Sequence, residues 1–543
     1  MCAAAAKSGQ SSPMQSDFDI AVIGGGINGA GIARDAALRG YRVILLEMDD
    51  FGSGTTSYSS RLIHGGLRYL EYGELPLVFE SLHERRRLRQ VAPHLVQRLR
   101  LIIPVYKGGR RGRFIIRLGM IAYDLLSIGK KIPRHRMLDR SELSGAEPGL
   151  REAGLLGGAQ YFDAQVTFAE RLVVENIISA KEAGAIVKNY CRVIGINVNE
   201  GAVRGLRYLD SLSGQEHEIS ASVIVNAAGP WVDMVLAAVN REMPTFMGGT
   251  KGSHIIVGTF SGAPTAALYV EAQADGRPFF IIPWNDQYLI GTTDIRCEGD
   301  PGNVAPDNEE IDYLLSETNR VFPSANLTRS SIHFAYAGVR PLPKREHGPE
   351  SAITRKHIIY AHRNEARGLI SIIGGKLTTF RSLAEQTVNK AARYISSGKG
   401  PCRTRSELLP GAVALETTAE RLAAVSSLPS PCVSRLISIY GSRATRILDI
   451  ALADKAVAYL DAAQTVLAAE VVHAIRNECA KTLIDIVYRR MMVGLMPDQG
   501  AAMSPELARI AAQYLRWDAV EASRQLVALE TYNAKFRPEG IGK

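Results

Sequence analysis

Asp19-Ile-Ala-Val-Ile-Gly-Gly-Gly-Ile-Asn-Gly-Ala-Gly31, followed by Tyr41-Arg-Val-Ile-Leu-Leu-Glu47, is the stretch that decides the fold. An apolar strand runs into a glycine cluster. A helix pattern then occupies Gly31 to Leu38, and a second apolar strand occupies Tyr41 to Glu47. That is a complete β-α-β unit. Gly24, Gly26 and Gly29 stand at the spacing of a dinucleotide-binding turn. The first glycine allows the tight turn, the second lets a pyrophosphate approach the backbone, and the third lets the helix pack closely. The helix N-terminus attracts the phosphate charge. Glu47 ends the second strand where a carboxylate can accept hydrogen bonds from ribose hydroxyls, and Asn28 lies inside the turn as a further cofactor contact.

Two later segments favour FAD over a nicotinamide dinucleotide. Asn226-Ala-Ala-Gly-Pro-Trp231 ends an apolar strand in small residues, so that at Gly229 the chain can pass close to a long cofactor. Gly374-Gly-Lys-Leu-Thr-Thr379 is a strand-to-helix turn. Its Gly375, Lys376, Leu377 and Thr378 stand where a helix N-terminus would face a flavin ring and stabilise the anionic reduced form. Ser57, Ser59 and Ser60 either hydrogen-bond the pyrophosphate or flavin or serve as turn residues.

A chain of 543 residues predicts two or three domains. Residues 1–16 read as a disordered start, and 17–395 as a cofactor domain interleaved with a substrate cap, roughly 75–150 and 240–350. Residues 396–407 read as a linker and 408–543 as an all-helical domain. Strands are expected at His254–Val257, Phe279–Pro283 and Tyr288–Thr292, and helix and loop from Leu77 to Pro133.

A formal charge of +9 suits an anionic substrate, cofactor or surface. It lacks the dense basic stripe interleaved with aromatics that nucleic acid calls for, so no nucleic-acid partner is expected. The six cysteines form no C-x-x-C, and no metal site is expected. No apolar run reaches the ~20 residues needed to span a bilayer. Met1–Ser16 has neither a secretory signal's apolar core nor a transit peptide's arginines. A cytoplasmic location, or one on a membrane surface, is expected.

Ser59-Ser-Arg-Leu-Ile-His-Gly-Gly-Leu-Arg-Tyr-Leu-Glu71 resembles a signature of the FAD-dependent glycerol-3-phosphate dehydrogenases. Lys251-Gly-Ser-His254, Ile282-Pro-Trp-Asn285, Gly291-Thr-Thr-Asp294, Gly338-Val-Arg-Pro341, Ile353-Thr-Arg355 and Gly374-Gly-Lys-Leu-Thr-Thr379 are similar to the same family, in its order. The resemblance covers most of Asp17 to Arg393, and more loosely the helical tail. It implies an α/β fold with an α+β cap: a D-amino-acid-oxidase-like, FAD-binding Rossmann domain with a strand-rich cap and a C-terminal helical domain. It also implies oxidation of sn-glycerol 3-phosphate to dihydroxyacetone phosphate, with hydride passing from C2 to flavin N5 and electrons to membrane quinone. No calcium-binding extension or targeting peptide is expected, which matches the family's bacterial aerobic type. In the tail, Tyr488-Arg-Arg-Met-Met-Val departs from the family's more frequent Arg-Arg-Thr-Arg-like run.

On that resemblance Arg340 and Arg355 are expected to hold the phosphate or adjacent hydroxyl oxygens, since arginine's fork suits a dianion. Lys376 adds a point charge for substrate or flavin, and Arg68 and Tyr69 complete the wall. His254 is the candidate base for the C2 hydroxyl, with nearby cations keeping its imidazole neutral. His64 is either structural or a flavin neighbour. Rival readings are an oxidase that passes electrons to oxygen, an amine oxidase on the same fold, and a flavin-bound RNA-binding module. Oligomeric state stays open, with a homodimer among the assemblies allowed.

Arg113-Phe-Ile-Ile-Arg-Leu-Gly-Met-Ile-Ala-Tyr-Asp-Leu-Leu-Ser-Ile-Gly-Lys-Lys131 is apolar except for one face carrying Arg113, Arg117 and Asp124. Lys107, Arg110, Arg111, Lys130 and Lys131 flank it. The pattern fits either a helix lying in an anionic membrane surface, through 107–131, or one packed on the core. The expectation is monotopic attachment to the cytoplasmic face of the inner membrane.

Overall fold

The computed structural model describes residues 16–129, 132–297, 299–344, 355–396, 398–425, 428–453, 458–537 and 540. Of the start expected to be disordered, only Ser16 falls within them. Lys130, Lys131, Ile353 and Thr354 also lie outside the described residues.

The first sheet runs in the order Ile358–Ala361, Leu369–Ile373, Gln215–Asn226, Phe18–Ile23, Val43–Leu46, Ile186–Lys188. All neighbours are parallel except the first pair. Alternation along the strands sorts the two faces. Ile20, Val22, Val43 and Leu45 pack under helices Ile27–Leu38, Ala169–Glu182 and Phe380–Ala391. Ala21, Ile23, Ile44 and Leu46 face the hairpin of Cys191–Asn199 and Ala202–Asp210. Helix Ile27–Leu38 can sit this low only because position 29 is glycine: a Cβ there would lie 1.8 Å from the Gly24 carbonyl oxygen.

The second sheet forms the cap. Its order is Ile295–Arg296, Thr250–Val257, Gln287–Gly291, Pro278–Trp284, Ala267–Glu271, Val96–Tyr106, Leu155–Val166, Leu62–Ile63. Ile332–Arg340 also pairs antiparallel with Thr250–Val257. The three expected cap strands are present. The stretch expected as helix and loop, 77–133, instead contains the strand Val96–Tyr106 between helices Leu75–Val91 and Arg113–Leu126. Its partner Leu155–Val166 lies beyond the expected boundary at 150, with Arg98 opposite Ala164 and Arg100 opposite Phe162. Those exposed-side arginines break the apolar run that would have announced a strand.

The C-terminal part is helical, with Leu415–Val425, Ser430–Tyr440, Ala444–Ala453, Ala469–Asn477, Ser504–Leu515 and Ala519–Ala534 its longer elements. Residues 396–407 are less free than a linker implies. Arg34 Nη2 donates to the Glu407 carbonyl at 2.8 Å, Thr404 Oγ1 donates to Asp35 at 3.3 Å, and Gly400 N donates to the Arg39 carbonyl at 3.1 Å. A fully buried ion pair joins the parts: Arg171 donates to both Glu478 oxygens, at 2.6 and 2.7 Å. Glu478→Leu strands the Arg171 charge and is expected to cost about 3–5 kcal/mol. Arg171→Met combined with Glu478→Leu is expected to recover most of that. Equal denaturation midpoints for single and double variants would contradict this reading.

Candidate active site

Two cavities meet between the sheets. The larger, about 910 Å³, is lined by Ile23, Gly24, Gly26, Asn28, Glu47 and Gly229, and reaches Gly338, Gly375, Lys376 and Leu377. The smaller, about 290 Å³, is lined by Tyr69, His254, Arg277, Arg340, Arg355 and Thr378. Ser59, Gly338, Pro341, Gly375, Lys376 and Leu377 belong to both walls, so the cavities share a seam.

The larger cavity fits a dinucleotide. Its volume is at the upper end of ordinary ligand clefts, ~300–1,000 Å³. Helix Ile27–Leu38 begins at Gly26, which has no side chain to cap it, and carries no acidic residue in its first turn. The Ile27 amide donates to Thr56 Oγ1 at 3.2 Å, and the positive end of the helix still favours an anion. Asn28 Oδ1 is buried without a partner. Glu47 Oε2 accepts from Gly25 N at 2.5 Å and Oε1 from Asp49 N at 3.0 Å. Burial nevertheless pushes this carboxyl up to about 7. Each oxygen keeps a lone pair for a ribose hydroxyl. Gly375, at φ +113°, passes so near that a Cβ would lie 2.8 Å from Asn28 Nδ2.

Three of the expected cofactor contacts, Ser57, Ser60 and Thr378, have hydrogen-bond partners within the protein. Ser57 Oγ donates to the Gly52 carbonyl at 2.7 Å and is a turn residue. Ser60 faces the smaller cavity, its Oγ 2.8 Å from His254 Nε2. Thr378 also lies on the smaller cavity, where its hydroxyl accepts from His64 N and donates to the His64 carbonyl, at 3.1 and 3.3 Å. Gly29 acts through packing rather than as cavity wall.

In the smaller cavity Arg340, opposite Thr250 in the sheet, is pinned. Nη1 donates to Thr250 Oγ1 (3.3 Å) and Asp294 Oδ1 (3.0 Å). Nη2 donates to Thr292 Oγ1 and the Thr293 carbonyl, both at 3.0 Å. Arg355 Nη2 lies 3.6 Å from Asp294 Oδ2. Burial favours the neutral form of Asp294, but Arg340 and Arg355 outweigh it and hold the carboxyl below its ordinary range. Burial, only partly offset by Asp294, lowers Arg340 to about 10. Lys376 Nζ donates to Ser81 Oγ at 3.1 Å and lies 4.4 Å from the centre of the Tyr69 ring. Burial lowers its pKa too. Arg68 opens the short helix Arg68–Glu71, but its side chain lies outside what is described.

His254 is 2% exposed, and its Nδ1 has no partner. Burial, then Arg340 and Arg61, push its imidazole down to about 3. His64, also on this wall, is held at about 3 by burial and by Lys376 and Arg85. Arg277 and Asp294 were missed as site residues. Arg277 Nη1 donates to the Asp294 carbonyl at 2.8 Å. It follows Asp275-Gly276 and reads as a surface turn charge; Asp294 stands in a quoted motif, but a single acid among cations gave no sign of a binding role.

Because His254 is neutral when folded and protonates near 6.5 when unfolded, its environment leaves stability intact above about pH 6.5. Stability is then lost as pH falls towards about 3, where the folded imidazole also protonates. Between pH 7 and 5 the loss is about 2 kcal/mol for this group. In His254→Gln the difference in unfolding free energy between those pH values is expected to shrink by that amount. An unchanged difference would show that the imidazole is not held neutral.

Residues 19–381 match the family described as FAD dependent oxidoreductase, and residues 402–522 match the C-terminal domain of alpha-glycerophosphate oxidase. A glycerol-3-phosphate dehydrogenase of Synechocystis sp. is 43% identical over 95% of this chain and 96% of its own length. An aerobic glycerol-3-phosphate dehydrogenase of Staphylococcus haemolyticus is 34% identical over 87% of this chain and 86% of its own. The crystal structure of the Bacillus halodurans glycerol-3-phosphate dehydrogenase complexed with FAD superposes with a TM-score of 0.76 at 28% identity, covering 97% of this chain and 96% of that one.

Proposed function

The chain belongs to the FAD-dependent oxidoreductases, among the glycerol-3-phosphate dehydrogenases, and on that footing we propose that it oxidises sn-glycerol 3-phosphate at C2 to dihydroxyacetone phosphate and passes the electrons to membrane quinone. The observation that carries the reading is the group of cations, Arg277, Arg340, Arg355 and Lys376, in a small cavity continuous with the dinucleotide cavity. An amine substrate would meet repulsion there. A phosphate dianion is attracted.

Bound FAD supplies the hydride acceptor for the hydrogen leaving C2. The protein's part is to place and deprotonate the alcohol. Arg340, fixed in plane by Thr250, Thr292, Thr293 and Asp294, presents a preorganised charge. Arg355 and Arg277 complete the phosphate end, and Tyr69 and Lys376 wall the seam. His254 takes the C2 hydroxyl proton, and the Ser60 hydroxyl on Nε2 orients its ring. The resting imidazole is a weak base because of burial and adjacent cations. A phosphate dianion beside Arg340 offsets those cations and raises the basicity as substrate binds.

Helix Arg113–Leu126 turns Met120 and Tyr123 inward. Phe114 (80% exposed), Leu118 (59%), Leu125 (62%) and, beyond its end, Ile128 (72%) face outward. Tyr72, Leu75 and Phe79 are exposed on the neighbouring segment, and Tyr72 also lines the smaller cavity. An apolar helix face of this extent, flanked by Lys107 and Arg110 (Arg111 is instead paired with Glu71 and Glu271), favours attachment to an anionic bilayer on its cytoplasmic side. No helix among the described residues is long and apolar enough to cross a membrane. Tyr72 therefore brings the cavity mouth near the surface where a lipid-soluble quinone would be met.

Anaerobic addition of glycerol 3-phosphate to the FAD-loaded protein is expected to bleach the flavin band, while glycerol without phosphate is not. A quinone is then expected to restore colour faster than oxygen does. Absence of bleaching in flavin-loaded protein would refute the substrate assignment, and faster recovery with oxygen would make the protein an oxidase. Leu118→Glu with Leu125→Glu is expected to abolish sedimentation with anionic vesicles; undiminished binding would remove this helix from the attachment.

A further inference from the structure

The larger cavity is walled on one side by the C-terminal helical domain, through Thr482, Ile484, Arg489, Tyr532, Lys535 and Phe536. The glycine turn and Glu47 form other parts of the wall, so the first β-α-β unit does not enclose the cavity alone.

A buried charge cluster holds the domain in place. Asp50, three residues beyond Glu47, is fully buried. Arg490 Nη1 donates to its Oδ2 at 2.8 Å and Nη2 to its Oδ1 at 2.9 Å. Arg489 Nε donates to Oδ2 at 2.5 Å, and Asn189 Nδ2 donates to Oδ1 at 2.9 Å. Both arginines come from the π-helical turn Asp485–Arg490. Asp485 in that turn accepts from Arg489 Nη2 at 2.8 Å and from the Tyr190 hydroxyl at 2.6 Å. Asp50 and Tyr190 both belong to the cavity wall. The clamp therefore fixes the loop that positions Glu47.

Two further contacts join the domain to the rest of the wall. The Tyr58 and Tyr532 hydroxyls are 3.1 Å apart, and Ala335 N donates to the Phe536 carbonyl at 2.8 Å. Lys535, exposed at the rim, adds a cation on the approach of an anionic dinucleotide.

We propose that the C-terminal helical domain is part of the FAD site, and that the Asp50–Arg489–Arg490 clamp sets how slowly the cofactor leaves. The inference does not depend on which alcohol is oxidised. Its test uses the full-length holoprotein and follows FAD release, without substrate, as flavin fluorescence after dilution into an excess of a flavin-scavenging apoprotein.

The decisive variant combines Asp50→Leu, Arg489→Met and Arg490→Met. It leaves none of the three charges buried without a partner. Asp485 keeps Tyr190 and the Lys481 and Thr482 amides. The triple variant is expected to unfold thermally with the wild type as apoprotein and to release FAD at least about tenfold faster, a difference of about 1.4 kcal/mol. Lys535→Gln is expected to speed release and reduce its salt dependence. Wild-type release from a folded triple variant would overturn the proposal. Should the triple variant fail to fold, wild-type release from both Tyr532→Phe and Lys535→Gln would overturn it equally.

Discussion

Asp294 is the carboxylate on which the smaller cavity depends. Arg340 and Arg355 lie against its two oxygens at 3.0 and 3.6 Å, and Arg277 holds its backbone carbonyl at 2.8 Å. Cations gathered in a half-buried pocket repel one another and resist leaving water. One acid behind them offsets that cost while leaving a surplus of positive charge at the front. The cap sheet sets the arrangement. Thr250, Gly252 and His254 alternate onto one face of a strand, and Arg340 stands opposite Thr250 on the next. A Cβ at Gly252 would lie 2.1 Å from Arg340 Nη2, so the guanidinium occupies the space that glycine leaves.

The same sheet buries His254 beside Arg340, and burial first, then Arg340 and Arg61, keep the imidazole neutral. Under the proposed function, base strength and phosphate binding are coupled through Arg340. That guanidinium both attracts the dianion and adds to the suppression of the imidazole by burial, and substrate charge would relieve the part due to Arg340.

Much of this was legible in residues 19–47, because a glycine turn between two apolar strands has few structural solutions. His254, Arg340, Arg355 and Lys376 were also legible as motif positions, and all four line one cavity. Strands Val96–Tyr106 and Leu155–Val166 were not, since each is stabilised mainly by its distant partner and the first carries Arg98 and Arg100 on its open side. The contact of the Ser60 hydroxyl with His254 was not legible, because the two residues are 194 positions apart. In the tail the departure from the family's run falls on Met491 and Met492, whereas Arg489 and Arg490 before them bind Asp50 next to the cofactor turn. Long-range pairings of this kind leave no local periodicity to read.

The central claim is that the alcohol sits at the seam between the two cavities with its C2 hydrogen directed to the cofactor side. The most direct measurement is the anaerobic rate of flavin bleaching with glycerol 3-phosphate carrying hydrogen or deuterium at C2. Slower bleaching with deuterium, lost together with phosphate dependence in Arg340→Ala, is the predicted result. Bleaching at one rate with both isotopes, unaffected by Arg340→Ala, would contradict the account.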